Sequence, residues 1–187
     1  METVDLEEVT TPVYANEFIT EYVRQNNLAI IECDENRPWG GYYIYEVGAN
    51  YDKKIFFIKP GQYLSLQFHG TPEQPGHNEE WTAITEIKVV LGNQSVIGIS
   101  NEEMQEELKN LNILKIAPGE KVEIPAGYLH ALVNPYEHNI HFCETRMSQQ
   151  EEPSNARESN IIRVYDQSER DGCPKWPEEL IERIKAA

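Results

Sequence analysis

The side chains best suited to chemistry in this chain include a glutamine and a histidine two residues apart, in the stretch SLQFHG at residues 65–70. In an extended strand, residues i and i+2 project from the same face, so Gln67 and His69 point the same way. Glu79 and Glu80 open the next apolar stretch, and His130 follows a Pro-x-Gly turn about sixty residues later. Imidazole, carboxylate and amide donors suit a borderline divalent cation, and donors from neighbouring strands can converge on one ion. Spacing alone leaves two readings open: a metal site with an amide among its ligands, or polar residues at turns and strand edges.

Strands must hold these groups. From Tyr63 to His69 the chain alternates with period two, placing Tyr63, Ser65, Gln67 and His69 on one face and Leu64, Leu66 and Phe68 on the other. GYYIYEVG, KKIFFIKPG, EEWTAITEIKVVLG, SVIGIS, KVEIP, ALVNP, NIHFCETR and IIRVYD read as further strand material. ENRPWGG, KPG, GTPEQPGHN and Pro118-Gly119 read as turns or loops. Three helices are expected. One covers residues 16–26 with Asn16 as cap and Phe18, Ile19, Tyr22 and Val23 at helical spacing. Another covers residues 101–110 behind a Ser100/Glu103 capping box, with Met104, Leu108 and Leu111 as core contacts. The last lies in PEELIERIKAA, with Leu180, Ile181 and Ile184 on one side. Many short strands between Gly and Pro turns indicate an all-β barrel or sandwich.

At 187 residues the chain is expected to hold one domain with extensions. It carries 32 carboxylates against 16 Lys and Arg, a net charge of -16, which argues against nucleic acid or an anionic membrane surface as partner. A small anionic substrate would need a locally cationic pocket. Cys33, Cys143 and Cys173 are odd in number and widely spaced, which implies no disulfide framework. The N-terminal segment is acidic and polar, unlike a signal peptide, and no run nears the roughly eighteen apolar residues of a membrane span. A cytoplasmic protein is expected.

Gly119, Pro125, Gly127, His130 and Asn134 complete the pattern G-x5-P-x-G-x2-H-x3-N, which resembles the second motif of the cupin superfamily. The first motif is matched by Gly61, five residues, and Gln67-Phe68-His69, with glutamine where most cupins have histidine. That variant resembles the mannose-6-phosphate isomerase group of cupins. RPWGGYYIY, KPGQYLSLQFH, the IPAGYLHAL segment and the closing RVYD carry the same resemblance, which covers residues 37–166 in pieces. The resemblance implies a double-stranded β-helix, or jelly-roll barrel, with short peripheral helices. It places an N-terminal extension with a helix at 1–36, the barrel at 37–166, and an extension packed on the barrel at 167–187. It implies one divalent metal, zinc by preference, on Gln67, His69, Glu79 and His130, with Glu80 as the alternate to Glu79. Pairing through edge strands as a homodimer is also expected, and the clustered Tyr42, Tyr43 and Tyr45 read as an aromatic interface.

The chain departs from the family pattern in one region. His77 stands where the family has a substrate-site lysine, nine residues separate His69 from Glu79, and Thr85-Glu86 replaces a first-motif glycine. His77 is a candidate base, a substitute ligand or a surface loop residue. Arg163, an arginine in an alternating apolar strand, either faces solvent or binds an anion; the resemblance places it near the active site, as a substrate and phosphate contact. Lys59 and Lys88 are weaker cationic candidates that also read as solvent-facing strand residues. Tyr128, Glu144 and Asn134 are candidates for the pocket edge, Arg37 for bracing a turn, and His141 for the barrel interior. The resulting expectation is a metal-dependent aldose–ketose isomerase acting on a sugar or sugar phosphate, with His77 moving the proton between C1 and C2. A noncatalytic metal-containing sugar-binding cupin, an isomerase of an unphosphorylated sugar such as lyxose or mannose, and an iron dioxygenase are the rivals.

Overall fold

Alternating strands with one apolar face each pair into two antiparallel sheets that pack against each other. The computed structural model describes residues 14–74, 76–148 and 160–187. The acidic N-terminal segment, position 75 of the GTPEQPGHN loop and most of the polar stretch after Ser148 lie outside the described residues. In chain order the elements are α1 (Glu17–Gln25), β1 (Glu32–Arg37), β2 (Gly40–Val47), β3 (Tyr51–Ile58), β4 (Leu66–His69), β5 (His77–Ala83), β6 (Ile87–Ser95), α2 (Asn101–Lys109), β7 (Asn112–Ile116), β8 (Lys121–Ile124), β9 (Tyr128–Val133), β10 (Ile140–Ser148), β11 (Ile161–Tyr165) and α3 (Glu178–Ala186). One sheet runs β1-β2-β3-β10-β5-β8 and the other β11-β4-β9-β6-β7. No helix among the described residues is long and apolar enough to cross a membrane.

Three apolar clusters follow from the period-two pattern. Phe56, Ile58, Trp81, Val89, Leu132 and Phe142 meet between the sheets. The outer face of the five-stranded sheet offers Leu66, Phe68, Leu129 and Ala131 to Trp176, Leu180 and Ile184 at the C-terminal end of the chain. The outer face of the six-stranded sheet offers Tyr43, Ile55 and Phe57 to Ile19 and Val23 of α1. A helix thus covers each outer face, and the space between the sheets remains for a site.

Both expected caps form. The Asn16 side chain accepts from Ile19 N at 3.2 Å. At α2, Ser100 Oγ accepts from Glu103 N at 3.2 Å while Glu103 Oε2 accepts from Ser100 N at 2.8 Å. Ser100→Ala is therefore expected to lower the unfolding free energy by about 1 kcal/mol. A urea midpoint unchanged from wild type would show that the box does not hold α2 in place.

Several local expectations are corrected. β1 forms over ECDENR, part of which reads as a turn, because backbone pairing with β2 overrides a polar composition at a sheet edge. It spans the position where the barrel is expected to begin. β7 also forms without a sequence signal of its own, paired to β6 from Ile87↔Ile116 to Leu91↔Asn112. SVIGIS is a turn beyond β6 rather than a strand. The alternation from Tyr63 breaks at Leu64: β4 begins only at Leu66, Tyr63 packs against Trp176 on the outer side, and Leu64 turns inward beside Ser65. Tyr43 is fully buried beneath α1 and Tyr42 and Tyr45 pack beside clusters of this same chain, so their aromatic surface is largely used within it.

Candidate metal centre and cavity

Side-chain parity decides which groups enter the space between the sheets. On β4, Leu66 and Phe68 face outward, so Gln67 and His69 face inward. On β9, Leu129 and Ala131 face outward, His130 faces inward, and Gln67 pairs directly with His130 across the two strands. β5 of the opposite sheet brings His77, Glu79 and Trp81 inward. The same alternation turns Glu80 to the outer surface, where it pairs with Lys121 at 2.8 Å.

Two close backbone approaches hold these strand ends together. Gly127, at φ +80°, donates its N–H to His69 O at 3.0 Å, which ties the turn before His130 to the end of β4. At the neck of the long loop, a Cβ on Gly76 would lie 2.0 Å from His69 O. The lengthened loop therefore closes on itself, and His77 begins β5 with its ring centroid 3.9 Å from that of His69.

Glu79 is the hub. Its Oε1 accepts from His69 Nε2 at 3.0 Å and His77 Nε2 at 3.1 Å, and its Oε2 accepts from Trp81 Nε1 at 2.8 Å. Burial pushes this carboxyl up, but the positive charge that His69 and His130 gain in acid and the hydrogen bonds from His69 and His77 more than offset it and hold it well below the usual range. His130 donates from Nδ1 to Tyr128 O at 2.9 Å, which fixes its tautomer and leaves the Nε2 lone pair free. Burial, outweighing the pull of Glu79, lowers His130 to about 4, so the ring is neutral at pH 7. Its Nε2 is buried without a hydrogen-bond partner among the described residues and lies 3.7 Å from Glu79 Oε2. A lone pair facing a buried carboxylate is an arrangement that a cation between them stabilises. Donor atoms of His69, Glu79 and His130 all lie within 4.8 Å of one another, so this set fits a single divalent ion. The Gln67 amide touches His69 Nε2 at 3.4 Å and receives the Ser65 hydroxyl on its other side at 2.6 Å. Since Ser65 can donate or accept, exchanging the amide's oxygen and nitrogen turns its oxygen toward the cluster.

The cluster forms one wall of a cavity of about 300 Å³. Arg37, Lys54, Arg146, Arg163 and Arg170 line it against the carboxylates Glu79, Glu144 and Asp171. Lys54 sits 3.5 Å from both Asp52 and Glu144, and Arg146 sits 3.2 Å from Asp52. Burial, and then the nearby Glu79 charge, raise Glu144 to about 8, with Lys54 opposing. Arg163 pairs with Asp171 at 2.5 Å, Arg170 with Asp166 at 2.6 Å and Arg37 with Asp34 at 2.8 Å.

Of the residues singled out from sequence, Arg37, Gln67, His69, His77, Glu79, Glu144 and Arg163 line this cavity, and His130 reaches the cluster through Glu79. Lys88 does not reach it: parity places it on the outer face of β6, where Nζ donates to the Ile184 and Lys185 carbonyls at the end of α3. Lys59 is exposed in the turn after β3, away from the lining. Tyr128 contributes its carbonyl to His130 rather than its ring to the cavity. Asn134 is a buried brace, donating to Ile58 O and His138 O at 2.8 Å. His141 faces outward beneath α1, stacked on Phe18 at 4.0 Å and touching Asn16, because Phe142 takes the inward position. Lys54 and Arg146 went unnoticed in the sequence. Their signal is the parity of β3 and β10, where they share a face with the inward Phe56 and Phe142.

The family model described as mannose-6-phosphate isomerase C-terminal matches residues 24–166. Mannose-1-phosphate guanylyltransferase ManC of Salmonella typhimurium is 27% identical over 132 residues, covering 70% of this chain and 22% of that protein. The mannose-1-phosphate guanylyltransferase of Escherichia coli K12 matches with the same identity and the same shares. The chain thus spans about a fifth of the length of the curated relatives it matches. Among solved structures, the capsular polysaccharide assembling protein CapF from Staphylococcus aureus superposes with a TM-score of 0.50 at 13% identity, over 73% of this chain and 34% of that one, a likeness of fold. The two facing sheets are those of a double-stranded β-helix, as expected from the motifs, and the chain belongs to the mannose-6-phosphate isomerase C-terminal family of cupins.

Proposed function

We propose that the chain is a metal-dependent aldose–ketose isomerase acting on a phosphorylated sugar. The observation that carries this reading is the local charge of the cavity. In a chain of net charge -16, five of the 16 Lys and Arg line the space beside the histidine–glutamate cluster, against the three carboxyl groups Glu79, Glu144 and Asp171. Such a concentration against the overall sign favours an anionic ligand over an uncharged one. In this reading His69, Glu79 and His130 hold one divalent ion, zinc by preference, with the Gln67 amide oxygen as a fourth donor. Bound there, the ion would polarise the sugar's carbonyl and hydroxyl oxygens and stabilise charge as it develops between C1 and C2. Arg163 orients the phosphate. Glu144, protonated in part at neutral pH, and His77 are the groups placed to take and return the proton.

The test is loss of the C2 proton signal by NMR in D2O, using the metal-loaded protein with mannose 6-phosphate, mannose and lyxose. Exchange is expected with the phosphorylated sugar, abolished by chelation and restored by zinc. Binding without exchange for every sugar would overturn the isomerase in favour of a sugar-binding cupin. Exchange with mannose or lyxose alone would overturn the phosphate.

A further inference from the structure

Arg163 arrives in the cavity already occupied. Its side chain is only 16% exposed, whereas its partner Asp171 is 70% exposed and makes this one ion pair among the described residues. Arg163 Nε is buried and without a hydrogen-bond partner among the described residues, so the guanidinium has donor capacity that Asp171 leaves unused. Asp171 lies in a short turn, Arg170–Gly172, whose backbone is unusual on both sides: Glu169 has φ +54° and Asp171 φ +57°, a region that L side chains disfavour. The neighbouring Arg170 is fixed, because the buried Asp166 receives its Nε at 3.0 Å and its Nη2 at 2.6 Å. One residue of the turn is clamped and the next is presented to solvent with a carboxylate on Arg163.

We propose that Asp171 is a stand-in for the ligand's phosphate: its carboxylate covers the face of Arg163 that a phosphoryl group takes, and it swings into solvent when the sugar phosphate binds. This rests on the reading of the cavity as a sugar-phosphate site and adds to it a group that sets how tightly the phosphate is held. Carboxylate and phosphate match the same guanidinium fork, but a phosphate brings more charge and more acceptor oxygens, enough to engage the idle Nε as well. An exposed carboxylate is readily released to water, and the turn that carries it is held independently by the bonds of Arg170 to Asp166. An uncharged sugar offers nothing to exchange for the ion pair, so it leaves Asp171 in place, and only the phosphorylated ligand meets the cost of displacing it. In the empty protein it also neutralises an arginine that would otherwise face the cavity alone.

The experiment is calorimetric titration of the zinc-loaded full chain with mannose 6-phosphate and with mannose, for wild type, Asp171→Asn, Asp171→Ala and Arg163→Ala. Both Asp171 variants are expected to bind the phosphorylated sugar about fivefold more tightly, the size of a partly exposed ion pair, with mannose unchanged. Arg163→Ala is expected to lose phosphate-dependent affinity. Unchanged or weaker binding by the Asp171 variants, with Arg163→Ala impaired, would overturn the stand-in and leave the phosphate site intact. Equal tightening for mannose would overturn it too, because displacement of an anion would not be the cause. No preference for the phosphorylated sugar in any variant would overturn both readings.

Discussion

Replacing His130 with alanine is expected to empty the metal site while the barrel stays folded. His130 enters the cluster from β9, whose packing rests on the outward Leu129 and Ala131 rather than on the imidazole. What the variant removes is the Nε2 lone pair, oriented by the Nδ1 bond to Tyr128 O and facing Glu79. Loss of groups that merely orient a ligand lowers metal affinity ten- to a hundredfold; loss of the ligand itself is expected to exceed about a hundredfold. Elemental analysis should give one zinc per chain in wild type and almost none in His130→Ala. A ligand that binds the folded state alone stabilises it by about 4 kcal/mol at a thousandfold excess over Kd. Added zinc should therefore raise the thermal midpoint of wild type and leave that of the variant unmoved. His141→Ala is the matched control, since that imidazole is equally buried but faces α1, and its zinc content should be unchanged. Full zinc in His130→Ala would remove His130 from the site.

How much of this was readable in the sequence depends on how far each residue's placement is local. Gln67 and His69 share a face by strand geometry alone, and the turn glycines around His130 are motif residues with positive φ, so the core of the cluster could be read directly. The choice between Glu79 and Glu80 needed the start of β5, which the lengthened loop obscures until the contact of Gly76 with His69 O is seen. Lys88 failed for the same kind of reason: one step of parity moves it from the cavity to the underside of α3. Lys54 and Arg146 could not be found from local pattern, because they are brought together by pairing β3 with β10 across some ninety residues. Arg170 and Asp171 follow the last strand, where composition gives no reason to expect a return to the cavity.

Asp52→Ala is expected to be among the most destabilising single changes in the barrel, although Asp52 touches none of the cluster's ligands. Asp52 on β3 lies opposite Arg146 on β10, and their side chains are 1% and 3% exposed at 3.2 Å. Lys54 and Glu144, the next inward pair, continue the row, so cations and carboxyl groups alternate among largely buried side chains. The Asp52 carboxylate offsets the desolvation of Arg146 and Lys54; removing it keeps their cost and loses that offset. Breaking a buried pair in this way costs about 3–5 kcal/mol, a fall in thermal midpoint on the order of 10 °C for a chain this size. The pH dependence should change as well. Glu144, raised from 4.5 to about 8, keeps a proton in the fold that the unfolded chain gives up, so its contribution to stability falls as pH rises from 4.5 to about 8. Asp52 is one of the charges that raise it, after burial and Glu79, and without Asp52 that fall should be confined to lower pH. Urea unfolding of wild type and Asp52→Ala at several pH values reads both effects. The double variant Asp52→Leu/Arg146→Met should recover much of the loss, since apolar residues carry no desolvation cost. A loss below about 1 kcal/mol in Asp52→Ala, the range of an exposed pair, would show that the row is solvated and that the cavity's cations are held by water rather than by one another.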